Sequence, residues 1–388
     1  MIIGCDFPHK FNITIKCASG VEKVLKTELF RLGYGDLPAI NGGITFNGSA
    51  FDVARCNVNL RTADRVYINV SQFEALSFDD LFNGVYDIDW KQYLPKNAKI
   101  LVNGNCVKSQ LFAISACQSV VKKAIIKKLS TSYNCNTFSE DGNQYKIDFY
   151  IYKNNVSILI DTSGVGLHKR GYRDLVGIAP IKETLASALL LMSDFYWKNP
   201  FADVFCGSGT FAIEGAKIAL NIAPNINRKF DFYNWDNFDN SKYKLAIEEA
   251  LDKEKKDNQI EFFASDIDPK AIKLAKRHAQ RAGVGDRINF IVRDVGNFTT
   301  CLKNGTIVTN PPYGERIFDK FEADECAKKL GLILDKYPDW SIFAISSAKN
   351  FEKMFGRKAD RERKMFNSEK ECRFYYYYGK KEKNNGWC

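Results

Sequence analysis

The chain has 388 residues, 45% of them hydrophobic, enough for two or three domains with full cores. Its 56 Lys and Arg exceed its 46 Asp and Glu, a net charge of +10 that favours a polyanionic partner. Eleven cysteines without a CxxC pair, three scattered histidines (His9, His168, His278) and no apolar run of about 18 residues speak against a disulfide framework, a zinc site, secretion and a membrane span, and for a reducing cytoplasm.

Phe11 to Cys17 alternates apolar and polar residues, a strand pattern, and Val21 to Leu32 carries apolar residues at helical spacing up to Gly33. The turn Asn41-Gly42-Gly43 leads into a short strand, Ile44 to Phe46, followed by a helix over Phe51 to Leu60 and a strand over Arg65 to Phe73. This alternation describes a ferredoxin-like α+β unit, which carries no function by itself. Lys99 to Asn103 reads as a strand and Ser115 to Leu129 as a helix, with Lys122, Lys123, Lys127 and Lys128 late in it. Lysines there suit the helix dipole as well as an RNA-facing surface. Asp148 to Ile160 reads as one closing strand, and Gly164 to Tyr172 as a domain junction. His168-Lys169-Arg170-Gly171-Tyr172-Arg173 mixes cations with an aromatic ring, which suits phosphate and base contacts or a plain basic surface loop.

Pro180 opens an apolar helix through Met192, and Phe201 to Phe205 is the next strand. After it, Gly207, Gly209 and Ala212 fit G-x-G-x-x-A ahead of a helix over Phe211 to Leu220, a turn whose glycines let backbone N–H groups approach a carboxylate or phosphate. A dinucleotide enzyme uses the same turn, so the match leaves the ligand open. Asn221 to Asn258 is an aromatic insertion, read here as a helical cap on the sheet in preference to a substrate-side wall. Glu261 to Ser265 is a strand ending at Asp266, placed to accept from ribose hydroxyls; Asp268 and Pro269 cap and open the following helix. Asn289 to Val292 ends near Asp294, an acceptor for an adenine amine. Phe321 to Tyr337 is a helix, Trp340 to Ser346 a strand, Lys364–Asn367 with Cys372–Tyr378 a hairpin, and 380–388 a disordered tail.

The buried run Thr306 to Thr309 must stop at Asn310, because Pro311 and Pro312 have no N–H for a ladder and Pro311 holds Asn310 out of the helical region. Asn310-Pro311-Pro312-Tyr313 then projects as a stiff segment beyond a strand end, where open α/β sheets collect ligands. An amide oxygen and the Pro311 carbonyl suit the two hydrogens of a planar amine, aiming its lone pair at a methyl donor, and Tyr313 offers a face for an extruded base. A bare Pro-Pro turn would read the same way in isolation.

Two resemblances add to this. Asp89-Trp90, Lys108-Ser109-Gln110-Leu111, Gln118 and Val121-Lys122-Lys123-Ala124 resemble the THUMP domain of RNA-modifying enzymes. Asp203 to Thr210, Ser265 to Pro269, Arg293-Asp294-Val295 and Thr309 to Arg316 resemble class I S-adenosylmethionine methyltransferases. Together with Leu167 to Arg173, Ala179 to Glu183 and Glu371-Cys372-Arg373, they resemble the THUMP-containing rRNA guanine-N2 methyltransferases of the RlmL type. The resemblance implies a Rossmann-like class I domain (166–380) behind a ferredoxin-like segment (1–60) and a THUMP domain (61–162), with S-adenosylmethionine as cofactor and no metal. It implies cofactor contacts at Asp203, Cys206, Gly207, Ser208, Gly209, Thr210, Asp266, Ile267, Asp294, Asn310 and Thr184. It implies catalysis at Asn310, Pro311, Pro312 and Tyr313, and RNA contacts at Lys108, Lys122, Lys123, Arg170, Tyr172 and Arg173. The expected product is N2-methylguanine in 23S rRNA. The alternatives are a tRNA guanine, adenine N6 of DNA, a protein glutamine, or an RNA-binding assembly factor with a vestigial site. Longer relatives carry a second methyltransferase domain, and this chain ends soon after the first, which implies one activity.

Overall fold

The structure is a computed structural model; it describes residues 8–40, 42–173, 181–313, 317–367 and 370–380. By packing, the described residues form two units. One gathers residues up to 17, 29–167 and 225–250; the other gathers 18–28, 168–224 and those from 251 on. No described helix is long and apolar enough to cross a membrane.

The N-terminal unit holds β1 (Phe11–Cys17), β2 (Ala39–Ile40), β3 (Gly43–Gly48), α2 (Ala50–Asn59), β4 (Ala63–Glu74), α3 (Phe78–Tyr86), β5 (Lys99–Val107), α4 (Ile114–Tyr133), β6 (Gln144–Tyr152) and β7 (Asn155–Asp161), while α1 (Glu22–Arg31) lies across the division of the chain. These strands make one seven-stranded sheet, ordered β2-β3-β1-β4-β7-β6-β5, in which only β5 and β6 run parallel, joined by α4 as the crossover that parallel neighbours require. The sequence read Asp148 to Ile160 as one strand. It is two, folded back at Lys153 and Asn154, which both take positive φ (49° and 65°) as a two-residue hairpin turn of the tight kind demands.

The aromatic insertion also departs from expectation. Residues 225–250 pack in the N-terminal unit instead of capping the catalytic sheet. Trp235 stacks on Tyr145 (centroids 4.7 Å, planes 16° apart) and donates to the Gln144 carbonyl at 3.1 Å. Asn237 bonds Tyr145 Oη and the Tyr93 carbonyl, Asp231 pairs with Lys146 at 2.9 Å, and Arg55 grips Glu249 through two bonds. Within the stretch expected as one domain, 166–380, residues 225–250 therefore pack with the other unit.

The catalytic unit holds α5 (Glu183–Met192), β8 (Phe201–Asp203), α6 (Thr210–Ala219), β9 (Phe262–Asp266), α8 (Pro269–Arg281), β10 (Asn289–Val292), β11 (Thr306–Thr309), α9 (Ile317–Lys336), β12 (Ser341–Ser346), α10 (Phe351–Phe355), β13 (Arg361–Asn367) and β14 (Lys370–Tyr377); α7 (Asn240–Asp252) belongs to the insertion. Its sheet runs β10-β9-β8-β11-β12-β14-β13, parallel as far as β12 and closed by the antiparallel hairpin. The chain winds outward from β8 to β10, then returns to place β11 on the other side of β8. That reversal opens a crevice beyond the carboxyl ends of β8 and β11. All four residues of β11 are buried, as befits a central parallel strand covered on both faces, and Ile307 packs in a core with Leu330, Trp340 and Tyr377. The expected opening of α5 at Pro180 and the tail at 381–388 lie outside the described residues.

Candidate active site

Four strand ends and one loop build the crevice. β8 delivers Asp203, whose carboxyl is buried and pushed up to about 7, burial being the main cause. Thr309, at the end of β11, donates to its Oδ1 at 2.7 Å, and the Phe205 N–H reaches both Asp203 Oδ1 and Thr309 Oγ1. The loop then turns through Gly207 (φ 49°) and Gly209 (φ 86°) into α6; a Cβ at Gly209 would also sit 3.0 Å from that of Ala275.

At the end of β9, Asp266 accepts from the Gly207 N–H at 2.9 Å and the Asp268 N–H at 3.0 Å, fixing its carboxylate against the glycine loop. Asp268 caps α8 through the Lys270 N–H, with Pro269 at the first helical position. Beyond β10, Asp294 accepts from the Gly296 N–H and is clamped by Lys329 Nζ at 2.9 and 3.0 Å, which holds its carboxyl below the usual range. Asp203 Oδ1 and Asp294 Oδ1 each take two of these bonds, so the capacity left for a ligand lies on their Oδ2 atoms and on both oxygens of Asp266.

Asn310 follows β11, and Asn310 and Pro312 line the same cavity as Asp203, Cys206, Gly207, Ser208, Thr210, Asp266, Ile267 and Asp294. It measures about 960 Å³, room for a nucleoside with a side chain. Six carboxylates line it (Asp203, Asp266, Asp268, Asp294, Glu322, Glu325) against three cations (Lys270, Arg293, Lys329). Such a lining repels a pyrophosphate and suits a cationic ligand, which separates a sulfonium cofactor from a dinucleotide. Tyr313 donates its hydroxyl to Asn310 Oδ1 at 2.5 Å, and Lys370 Nζ lies 4.7 Å from the centre of its ring.

Some expected contacts fall elsewhere. Thr184 is buried in the first turn of α5 and does not line the cavity, whereas Ile181 does. Arg170 and Tyr172, expected at an RNA surface, are buried: the Arg170 guanidinium pairs with Glu214 at 3.6 Å and Tyr172 donates to Glu214 at 3.1 Å. Arg173 turns inward too, onto Thr210 Oγ1, the Ile181 carbonyl and Glu183. The available signal was Glu214 itself, a charge set among the apolar residues Phe211 to Ala216 of α6, which demands a buried partner. Of the remaining RNA candidates, Lys108 and Lys123 are exposed and Lys122 pairs with Glu140 at 3.1 Å. Sequence reasoning missed Phe205, Arg293, Phe321 and Lys329, all on the cavity wall.

A switch-point crevice with a glycine turn, acceptors at successive strand ends and a cation-attracting wall defines a class I methyltransferase site. Comparison with known proteins agrees. Residues 170–375 match the family described as RMKL-like, methyltransferase domain; residues 12–67 match the RlmL ferredoxin-like domain and residues 75–161 the THUMP domain. The chain belongs to the RMKL-like methyltransferase family. It is 41% identical over 373 residues to YpsC of Bacillus subtilis (strain 168), provisionally named an RNA methyltransferase, covering 96% of this chain and 97% of that one. It is 35% identical over 348 residues to the ribosomal RNA large subunit methyltransferase K/L of Buchnera aphidicola subsp. Acyrthosiphon pisum (strain APS), covering 84% of this chain and 49% of that protein, so it spans about half that relative's length. The crystal structure of SMU.472, provisionally titled a methyltransferase and complexed with SAH, superposes with a TM-score of 0.91 at 36% identity, over 97% of this chain and 100% of that one. The cofactor is S-adenosylmethionine.

Proposed function

We propose that this protein methylates the exocyclic N2 of a guanine in RNA, with large-subunit rRNA as the first substrate to test. The observation that carries the reading is the placement of Asn310 and Pro312 on the wall of the cavity that also holds Asp203, Asp266 and Asp294. When bound, the cofactor supplies an electrophilic methyl group on a sulfonium. The chain's own residues do the rest. Asp266 and Asp294 would take its ribose and adenine, and the loop from Asp203 to Thr210 its amino-acid end. Asn310 Oδ1 and the Pro311 carbonyl would hold the two amine hydrogens of the base, turning its lone pair toward the methyl and stabilising the positive charge that grows there. Tyr313 would stack on the extruded ring. No general base is needed, because the methylated amine loses a proton readily to water.

RNA is favoured by the THUMP match and by the net charge of +10. The test is transfer of labelled methyl to total RNA, genomic DNA or ribosomal protein, followed by nucleoside mass spectrometry. N2-methylguanosine in RNA is expected; label only in DNA or protein overturns the reading. Asn310→Ala is expected to abolish turnover while cofactor binding persists by calorimetry.

A further inference from the structure

We infer that Arg173 is a positioning residue for the cofactor's amino-acid carboxylate, acting through the Thr210 hydroxyl. Thr210 opens α6 and lines the cavity. A ligand carrying both a sulfonium and a carboxylate meets acceptors at Asp203, Asp266 and Asp294, none of which suits its carboxylate. The start of α6 is different: its first N–H groups and Thr210 are donors.

Arg173 decides which way Thr210 faces. Its guanidinium nitrogen donates to Thr210 Oγ1 and to the Ile181 carbonyl (2.9 Å), and its Nε lies 3.4 Å from Glu183 Oε1. A hydroxyl that accepts from arginine must send its own hydrogen elsewhere. The other neighbour is Ser208 Oγ at 3.4 Å, also on the cavity wall. The Ser208 contact can run either way; with Arg173 occupying one lone pair, the Thr210 hydrogen is assigned toward Ser208 and the cavity, where an anionic group is the fitting acceptor. The effect does not come from excess positive charge: Arg170 and Arg173 face Glu214 and Glu183, two cations against two carboxylates. It comes from the direction of one O–H. The side chain is 11% exposed and fixed by three partners, so the hydroxyl is set before ligand arrives.

The experiment compares, by calorimetry, binding of S-adenosylmethionine and of its decarboxylated form, which keeps the sulfonium and the amine. Arg173→Gln and Thr210→Val should each weaken the intact cofactor about tenfold, the scale of one hydrogen bond to a charged group, and the decarboxylated form less than about twofold. The double variant should lose no more than the worse single variant, because both remove one interaction. Equal loss on the two ligands, no loss on the intact one, or additive losses would overturn the inference. Should Arg173→Gln fail to fold, Arg173→Met, which has no donor for Thr210, takes its place in the two-ligand comparison: a loss confined to the intact cofactor supports the inference, and an equal loss on both ligands or none on the intact one overturns it.

Discussion

Tyr313 offers two substitutions with opposite expected effects. Its hydroxyl donates to Asn310 Oδ1 at 2.5 Å, the oxygen proposed for the target amine, so the free enzyme satisfies internally the acceptor proposed for the substrate. Tyr313→Phe removes that competitor and keeps the ring. A neutral hydrogen bond contributes about 0.5–1.5 kcal/mol net, and a carbonyl oxygen has a second lone pair, so the gain is bounded at about tenfold. The KM for RNA should fall by up to that factor, with kcat changed less than about twofold. Tyr313→Ala removes the ring, together with the surface over which Lys370 sits. Base–aromatic stacking contributes about 1–3 kcal/mol, so kcat/KM should drop about 5- to 150-fold. The assay is steady-state methyl transfer to rRNA, with cofactor affinity measured separately by calorimetry and expected to hold in both variants. If Phe loses as much as Ala, the hydroxyl is a required partner of Asn310 and the competition argument is wrong.

Asp203→Asn should flatten the pH dependence of catalytic-unit stability. The folded carboxyl sits at about 7 against an ordinary 3.8, so the folded state keeps a proton the unfolded chain has lost, and the stability present below about pH 4 is lost as pH rises to about 7. Three units at 1.36 kcal/mol each give roughly 4 kcal/mol, read as the wild-type minus variant difference in hydrogen exchange of β8 and β11 peptides; an unchanged slope refutes it. Lys329→Met should release Asp294, so that cofactor affinity starts to fall at a higher pH than in wild type, with a loss of about 1.5- to 5-fold at neutral pH for so exposed a pair; identical calorimetric pH profiles would show the clamp to be idle. Trp235→Ala should loosen 225–250 by about 3–5 kcal/mol while β8 and β11 peptides keep their exchange rates, and protection lost equally in both would contradict the division into units.

What the sequence made legible follows from the range of the forces involved. Strand ends and helix starts are set by neighbours in the chain: Pro311 stops β11 at Thr309, and Asp268 with Pro269 starts α8, so the strand-end positions of Asp266 and Asn310 follow from the local order of residues. The insertion and the β6–β7 hairpin were misread for a related reason. An aromatic cluster needs a cover but does not name it, and Lys153-Asn154 turns only because both residues accept positive φ. Side-chain pairing between distant segments is equally hidden from local reading. Asp203 is held by Thr309, 106 residues away, Asp294 by Lys329, 35 away, and Tyr172 by Glu214, 42 away. Read locally, a run of Arg, Tyr and Arg looks like an RNA surface, because nothing beside it shows a buried carboxylate. The corrective sign lies in the partner: Glu214 occupies a helix whose other neighbours, Phe211 to Ala216, are apolar, and a lone carboxylate there is costly unless cations come to it. A charge where the pattern forbids one predicts where a distant opposite charge must go, and that rule turns Arg170 and Tyr172 from an expected substrate surface into buried partners of Glu214.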